Sequence, residues 1–157
     1  MLLPFFEWCE TLWLGQAVVG SNWLFPVIES VHLLALALLG GAIFLVDLRL
    51  LGLGLKDRPV SELARDARPW LLAALAGMIL TGVPLFLSEP IKCYYSTAFW
   101  IKMTTLPIAL LFAFTVRARV TRSGAVQNSA RRQQLVGALS IALWFTVAAA
   151  GRWIGFS

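Results

Sequence analysis

The sequence predicts an all-α membrane protein: a bundle of four transmembrane helices, preceded by a short amphipathic helix at the membrane interface, in a single domain spanning residues 1–157. Three observations carry this reading. Hydrophobic residues make up 59% of the chain and charged residues 13%, a balance that the surface of a water-soluble domain does not tolerate. Four apolar stretches, 23–46, 69–88, 97–116 and 134–151, come close to the roughly 20 residues that cross a hydrocarbon core about 30 Å thick. The cations are sorted between the connecting segments. Arg49, Lys56, Arg58, Arg65 and Arg68 lie between the first and second stretches, and Arg117, Arg119, Arg122, Arg131 and Arg132 between the third and fourth, so that ten of the 13 Lys and Arg lie there. The positive-inside rule then places both basic segments in the cytoplasm and both termini outside, in a bacterial inner membrane. The same sorting explains the net charge of +5 by topology and attraction to anionic lipid, so no nucleic-acid partner is expected.

The elements follow in order. Residues 2–14 set Phe5, Phe6, Trp8, Leu12 and Trp13 among Glu7, Cys9, Glu10 and Thr11, which suits an interfacial helix. With no basic start and two carboxylates, the segment is not expected to be a cleavable signal. Gly15 and Gly20 punctuate the link to the first span, where Pro26 falls in the first turn and costs little. Asp47 and Arg49 mark the cytoplasmic edge of that span, and Gly52 and Gly54 end the helical pattern. A short amphipathic piece, 61–68, is separated from the second span by Pro69. The outer loop 88–97 carries Glu89, Lys92 and Cys93, and the loop 123–130 is small and polar. Ala73, Gly77 and Thr81 at four-residue spacing, together with Gly40, Gly41, Ala138 and Ala142, mark close-packing faces. A sharper alternative is that glycines such as Gly40 clear space for a flat cofactor. Pro84 and Pro107 are expected to kink their helices.

His32, the one histidine, lies ten positions into the first span, about 13 Å along it at 1.5 Å per residue. Glu29 precedes it by one turn on the same face. Ionisable groups at membrane depth are costly and mark function by default. Neutral imidazole is a ligand for haem iron or for the magnesium of a chlorin, and its second nitrogen then needs an acceptor. Glu29 is the candidate acceptor. Lys102 opens the third span at a similar depth, where it can pair with Glu29, balance a propionate, or snorkel to the interface. A purely structural Glu29, His32 and Lys102 cluster remains the alternative. With a single histidine, six-coordinate iron would take a second ligand from Met78, Met103, water, or His32 of a second copy. Cys9 and Cys93 both fall on the outer, oxidising side, where a disulfide, two free thiols and metal binding are the options, the disulfide being favoured.

The run FPVIESVHLLALALLGGAIFLVDLRLLG, residues 25–52, looks like the first helix of an uncharacterised family of small bacterial four-helix membrane proteins. The resemblance extends through RPWLLAALAGMILTGVPLFLSE, residues 68–89, and FWIKMTTLPIALLFAF, residues 99–114. More distantly, a first-helix histidine followed by a glycine step and a cytoplasmic Asp or Arg, with Trp100-x-Lys102 heading the third helix, is similar to the HemJ-type protoporphyrinogen oxidases and the CopD-like copper-resistance proteins. The HemJ-type resemblance implies His32 as a haem ligand. Together these readings lead to an expectation of a b-type haem protein of electron-transfer or redox type, with His32 on the iron, Glu29 beside it, and Lys102 and Gly40 completing the cofactor site. The alternatives are an accessory or structural subunit of a larger membrane complex, a chlorophyll-type pigment in place of haem, or no cofactor. A transporter comes third, because the spans hold few polar groups. A homodimer is a further expected partner arrangement.

Overall fold

The computed structural model describes residues 2–54, 57–127 and 129–156. Every described element is helical: α1 (Leu3–Glu10), α2 (Trp13–Val19), α3 (Leu24–Leu51), α4 (Val60–Ser88), α5 (Pro90–Tyr95), α6 (Thr97–Phe112), a π-helical turn (Ala113–Arg117), α7 (Ala118–Gln127) and α8 (Ala130–Ile154). Four helical segments, Leu24–Leu51, Val60–Ser88, Thr97–Ser123 and Ala130–Ile154, are long and apolar enough to cross a membrane. The chain is thus an all-helical, multi-pass membrane protein. Its large apolar side chains, such as Leu34, Leu80, Leu111 and Phe145, are turned outward from the bundle, as a lipid-facing surface requires.

Each span is longer than its apolar run. Helix α3 continues past Val46 through Asp47 and Arg49 and stops at Gly52, whose φ of +78° is left-handed. There Gly52 N–H donates to the Arg49 carbonyl at 3.1 Å and Leu53 N–H to the Leu48 carbonyl at 3.0 Å, the two bonds of a Schellman ending. Asp47 is therefore a helical residue inside the bundle rather than an edge marker. Helix α4 runs unbroken through Pro69 and Pro84, so the separate piece expected at 61–68 is its first two turns. A proline removes one ladder bond, and near an arginine-rich helix end water can satisfy the carbonyl it frees. The third span continues as a π turn and α7 to Gln127, into the segment expected as a loop; the rest of that expected loop includes position 128, outside the described residues. Ser129 caps α8, its Oγ accepting from Arg132 N–H at 3.4 Å.

The N-terminal segment is two helices where one was expected. It breaks at Leu12, whose backbone is extended with ψ 133°, while Thr11 Oγ1 donates to the Trp8 carbonyl at 2.7 Å and Gln16 Nε2 to the Glu10 carbonyl at 2.7 Å. Helix α1 does more than lie on a surface. Phe6 is 4% exposed and meets Phe86, Tyr94, Phe99 and Trp100 at centroid distances of 5.6, 5.2, 6.0 and 6.0 Å. Such edge and tilted contacts add to burial. Helix α2 docks on α4, where Gly15 lies against the Leu87 backbone.

In the bundle, α3 is central, flanked by α4 and α8, and α6 packs on the far side of α8. Among the described residues α4 and α6 have little direct helix contact. They are joined at their ends, by the Phe86–Phe99 ring stack at 5.7 Å and by α7 against α4. Three apolar clusters fill the interior. Val46, Leu50, Val60, Leu63, Val120 and Val136 occupy the end bearing the basic segments. Leu39, Ile43, Leu71 and Ala74, with Met78 and Trp144, hold the middle. Phe6, Cys93 and Phe99 hold the aromatic end.

The Gly15 contact is testable. A Cβ there would collide with the Leu87 carbonyl oxygen and lie 2.8 Å from its carbon, so Gly15→Ala is expected to cost roughly 1–3 kcal/mol. Gly40→Ala, where a Cβ meets nothing within 4 Å, is expected to be neutral or slightly stabilising. Thermal unfolding of both variants in detergent checks the contrast.

Candidate functional site

His32 sits on α3 against α4, and small residues on α4 let the two helices approach closely. A Cβ on Gly77 would be 3.3 Å from Ala35 Cβ, and one on Gly82 would be 3.4 Å from His32 Cε1 and 3.9 Å from its Nδ1. The imidazole thus lies against the Gly82 backbone, half-buried, with Nε2 outside that contact. Its Nδ1 is 2.7 Å from Thr81 Oγ1. Thr81 Oγ1 in turn donates to the Gly77 carbonyl at 2.6 Å. A threonine hydroxyl has one proton, and the Gly77 carbonyl takes it. The neutral ring must therefore donate from Nδ1, which leaves the lone pair on Nε2. This is the tautomer that ligates a metal through Nε2 while a second residue fixes the ring.

The partner of His32 is thus Thr81, read in the sequence only as a small packing residue. Glu29, expected as that partner, turns elsewhere: its Oε1 is 4.0 Å from Arg152 Nη1, with both side chains about half exposed. The Arg152 guanidinium also lies over the Phe156 ring, 4.9 Å from its centroid. The expected Glu29–Lys102 pair is not formed. An exposed carboxylate at the start of α3 is met by the cation at the end of the antiparallel α8, which reaches it without either charge being taken from solvent. Lys102 instead lays its side chain on α8, its Nζ 3.3 Å from where a Gly151 Cβ would be. It has no hydrogen-bond or ion-pair partner among the described residues. It lies within electrostatic range of both His32 and Cys93. Gly40 is exposed on α3, eight residues and hence about 12 Å along the helix from His32, and does not join this site.

A second polar site lies toward the other end of α3. Asp47, with 0% exposure, receives Arg117 Nε on Oδ1 at 2.6 Å, and Arg117 Nη2 donates to the Ile43 carbonyl at 3.1 Å. The Arg117 side chain is 8% exposed. Arg117 closes the π turn, whose extra residue per turn re-aims the side chains that follow. On α8, a Gly137 Cβ would lie 3.0 Å from the Asp47 carbonyl oxygen and 3.0 Å from Leu50 Cβ, so glycine permits α8 to close over the pair. Gly52, expected to end the helical pattern, does end α3, so Asp47, expected at the cytoplasmic edge of the span, falls inside the helix.

Among the described residues no group of three or more His, Cys, Asp or Glu is placed to hold a metal ion. A cofactor needing one protein ligand is the metal chemistry that His32 fits. A family model of unknown function matches residues 5–157. The chain belongs to that family, DUF6644. Comparison with curated proteins and with solved structures gives no match.

In this DUF6644 protein Cys9 and Cys93 are both buried and unbridged, on helices α1 and α5 that pack together. The expected disulfide is absent. Cys93 is instead enclosed with Phe6 and Phe99 as a small apolar side chain. Burial raises both thiols, and Cys93 is pushed up to about 11 by burial first and by Glu89 second, with Lys102 and Lys92 opposing.

Three outcomes follow for the family member. Arg117→Leu leaves the Asp47 carboxylate buried and unpaired and is expected to cost about 3–5 kcal/mol, whereas the double change Asp47→Leu with Arg117→Leu recovers most of it; detergent unfolding of the three proteins measures this. Maleimide labelling at pH 7.5 is expected to find neither thiol in the folded protein and both after denaturation. The unfolded chain ionises its thiols at about 8.5, below Cys93 in the fold. Between that value and about 11 the folded state binds more protons, so stability falls as pH rises through this window. A melting temperature that rises from pH 8.5 to 10.5 contradicts it.

Proposed function

We propose that this DUF6644 protein is a b-type haem protein of electron-transfer or redox type in a bacterial inner membrane, with its basic end in the cytoplasm and His32 as axial ligand. One observation carries the reading. The chain Gly77 carbonyl, Thr81 hydroxyl, His32 Nδ1 fixes the ring and frees Nε2 as a lone-pair donor. That arrangement costs a half-buried, oriented imidazole at membrane depth, where ionisable groups are retained for function.

The rest of the site supports it. Lys102 supplies an ammonium without a hydrogen-bond or ion-pair partner among the described residues, suited to a propionate at the same end of the bundle. Gly82 and Gly151 hold the backbone close to His32 and Lys102, where larger residues would fill the space. Haem would supply a one-electron couple there. Of the protein's own residues, Thr81 would orient the His32 ring and Lys102 would balance the charge of the haem carboxylates. The similarity of His32 and Trp100-x-Lys102 to the HemJ-type pattern points the same way. The cytoplasmic placement of the basic end rests on the arginine distribution.

The protein is expressed with added 5-aminolevulinate, purified in detergent and titrated with hemin. A Soret band and a reduced-minus-oxidised α band are expected, both lost in His32→Ala. Thr81→Val is expected to keep the bands and weaken haem affinity about 10- to 100-fold, since an outer partner of a ligating histidine has that worth. A wild-type protein that takes up no haem, or a His32→Ala protein with an unchanged spectrum, overturns the proposal in favour of an accessory subunit with a structural histidine.

A further inference from the structure

Gly41 on α3 makes room for nothing in its own chain. A Cβ there would meet no atom within 4 Å, although glycine inside a helix is unfavourable relative to alanine. Helix packing accounts for Gly77, against Ala35, and for Gly137, against Asp47, but not for Gly41. The space beside it is a groove of about 350 Å³ between α3 and α4, lined by Ala37, Gly41 and Leu45 of α3, by Ala67 and Trp70 of α4 and, as a charged member, by Asp66. Ala37, Gly41, Leu45 and Trp70 are exposed on the outside of the bundle, so the groove opens to the lipid around the spans.

The groove has a cationic mouth. Residues 37, 41 and 45 recur at one helical turn, and the next residue on that face is Arg49. Arg49 Nε donates to the Arg58 carbonyl at 2.9 Å, which ties the segment leading into α4 to the end of α3. Arg58 Nη1 lies 3.6 Å from Asp66 Oδ2, and Arg65 Nε lies 4.0 Å from Asp66 Oδ1. Two guanidiniums thus share one carboxylate, at distances longer than a close hydrogen bond, and each keeps N–H donors for a further anion. The sequence from 49 to 68 holds five Lys and Arg against three Asp and Glu, so its charge is positive as a whole. Trp70 stands one turn further along α4 from Asp66, and its indole suits the depth where headgroup meets acyl chain.

We infer that this groove binds one acyl chain of an anionic diacyl phospholipid, with the lipid phosphate held by Arg58 and Arg65 at its mouth. A basic pocket between spans is the setting in which anionic headgroups are recognised, and the apolar walls below it take the chain. A second copy of the protein fits less well. In the same membrane orientation a symmetric pair would set these arginines opposite themselves. The site uses none of His32, Thr81 and Lys102, and it stands or falls apart from the haem reading.

The full-length protein in detergent is titrated with phosphatidylglycerol or phosphatidylcholine of the same acyl chains, and bound lipid is counted by native mass spectrometry. One phosphatidylglycerol is expected to bind about 5-fold more tightly than phosphatidylcholine, the worth of one net positive charge near the headgroups. The double variant Arg58→Gln with Arg65→Gln is expected to lose that preference while still binding phosphatidylcholine. Gly41→Leu, which fills the groove, is expected to bind neither lipid, whereas Gly40→Leu, on the same helix but outside the groove lining, binds both as the wild type does. Equal affinity of the wild type for the two lipids overturns the inference. So does lipid binding that survives Gly41→Leu or is lost equally in Gly40→Leu, or a dimer that Gly41→Leu disperses, which would give the groove to a second copy.

Discussion

The fold depends on a charge pair buried inside the bundle. Asp47 and Arg117 come from the first and third spans and meet under the cover of the fourth, so the bond from guanidinium to carboxylate at 2.6 Å ties three helices at one level. Neither charge is tolerable there alone, and the attraction is directional where van der Waals packing between helices in lipid is not. The second Arg117 bond, to the Ile43 carbonyl at 3.1 Å, sets the rotation of α6 relative to α3. The π turn is the local adjustment that lets the arginine point inward. Gly137 is its counterpart on α8, small enough for the backbone to lie on Asp47.

From that anchor the two ends of the bundle differ in kind. Toward the basic end, aliphatic side chains from four helices, with Phe112 of a fifth, close around Val46 and Val120. Toward the aromatic end, α3 and α4 are held by glycines and by the Thr81–His32 bond, while α6 and α8 are held by the stem of Lys102 on Gly151. Polar atoms at this end are arranged around small residues and are only half-buried, beside the Phe6, Cys93 and Phe99 cluster.

The four spans, their order and the N-terminal helical segment were legible in the sequence, because apolar length and cation placement are properties of single segments. Helix ends were less so. Asp47 and Arg49 look like a membrane edge in hydropathy, and only the glycine that can adopt φ of +78° shows where the backbone stops. His32 was found because a lone imidazole in an apolar run has few rivals. Its partner was assigned to Glu29 because helical spacing predicts neighbours on one helix, whereas Thr81 comes from another helix and a contact across 49 positions has no periodic signature. The same holds for Asp47 with Arg117, 70 positions apart. Cys9 and Cys93 were rightly placed at one end. What the sequence could not convey is that Cys93 is enclosed with Phe6 and Phe99 and that both thiols are free.

Phe6 has a consequence for the order of assembly. The rings that enclose it belong to residues 86–100, so α1 emerges from the ribosome long before anything exists for it to dock upon. Contacts of such sequence separation form late and slow the search. Until α4 and α5 and the head of α6 are in place, the hydrophobic face of α1 has only the membrane surface to rest on, and the final step of folding at this end is the descent of an early helix onto a late site. A segment made before its partners is therefore the one that closes this end of the structure.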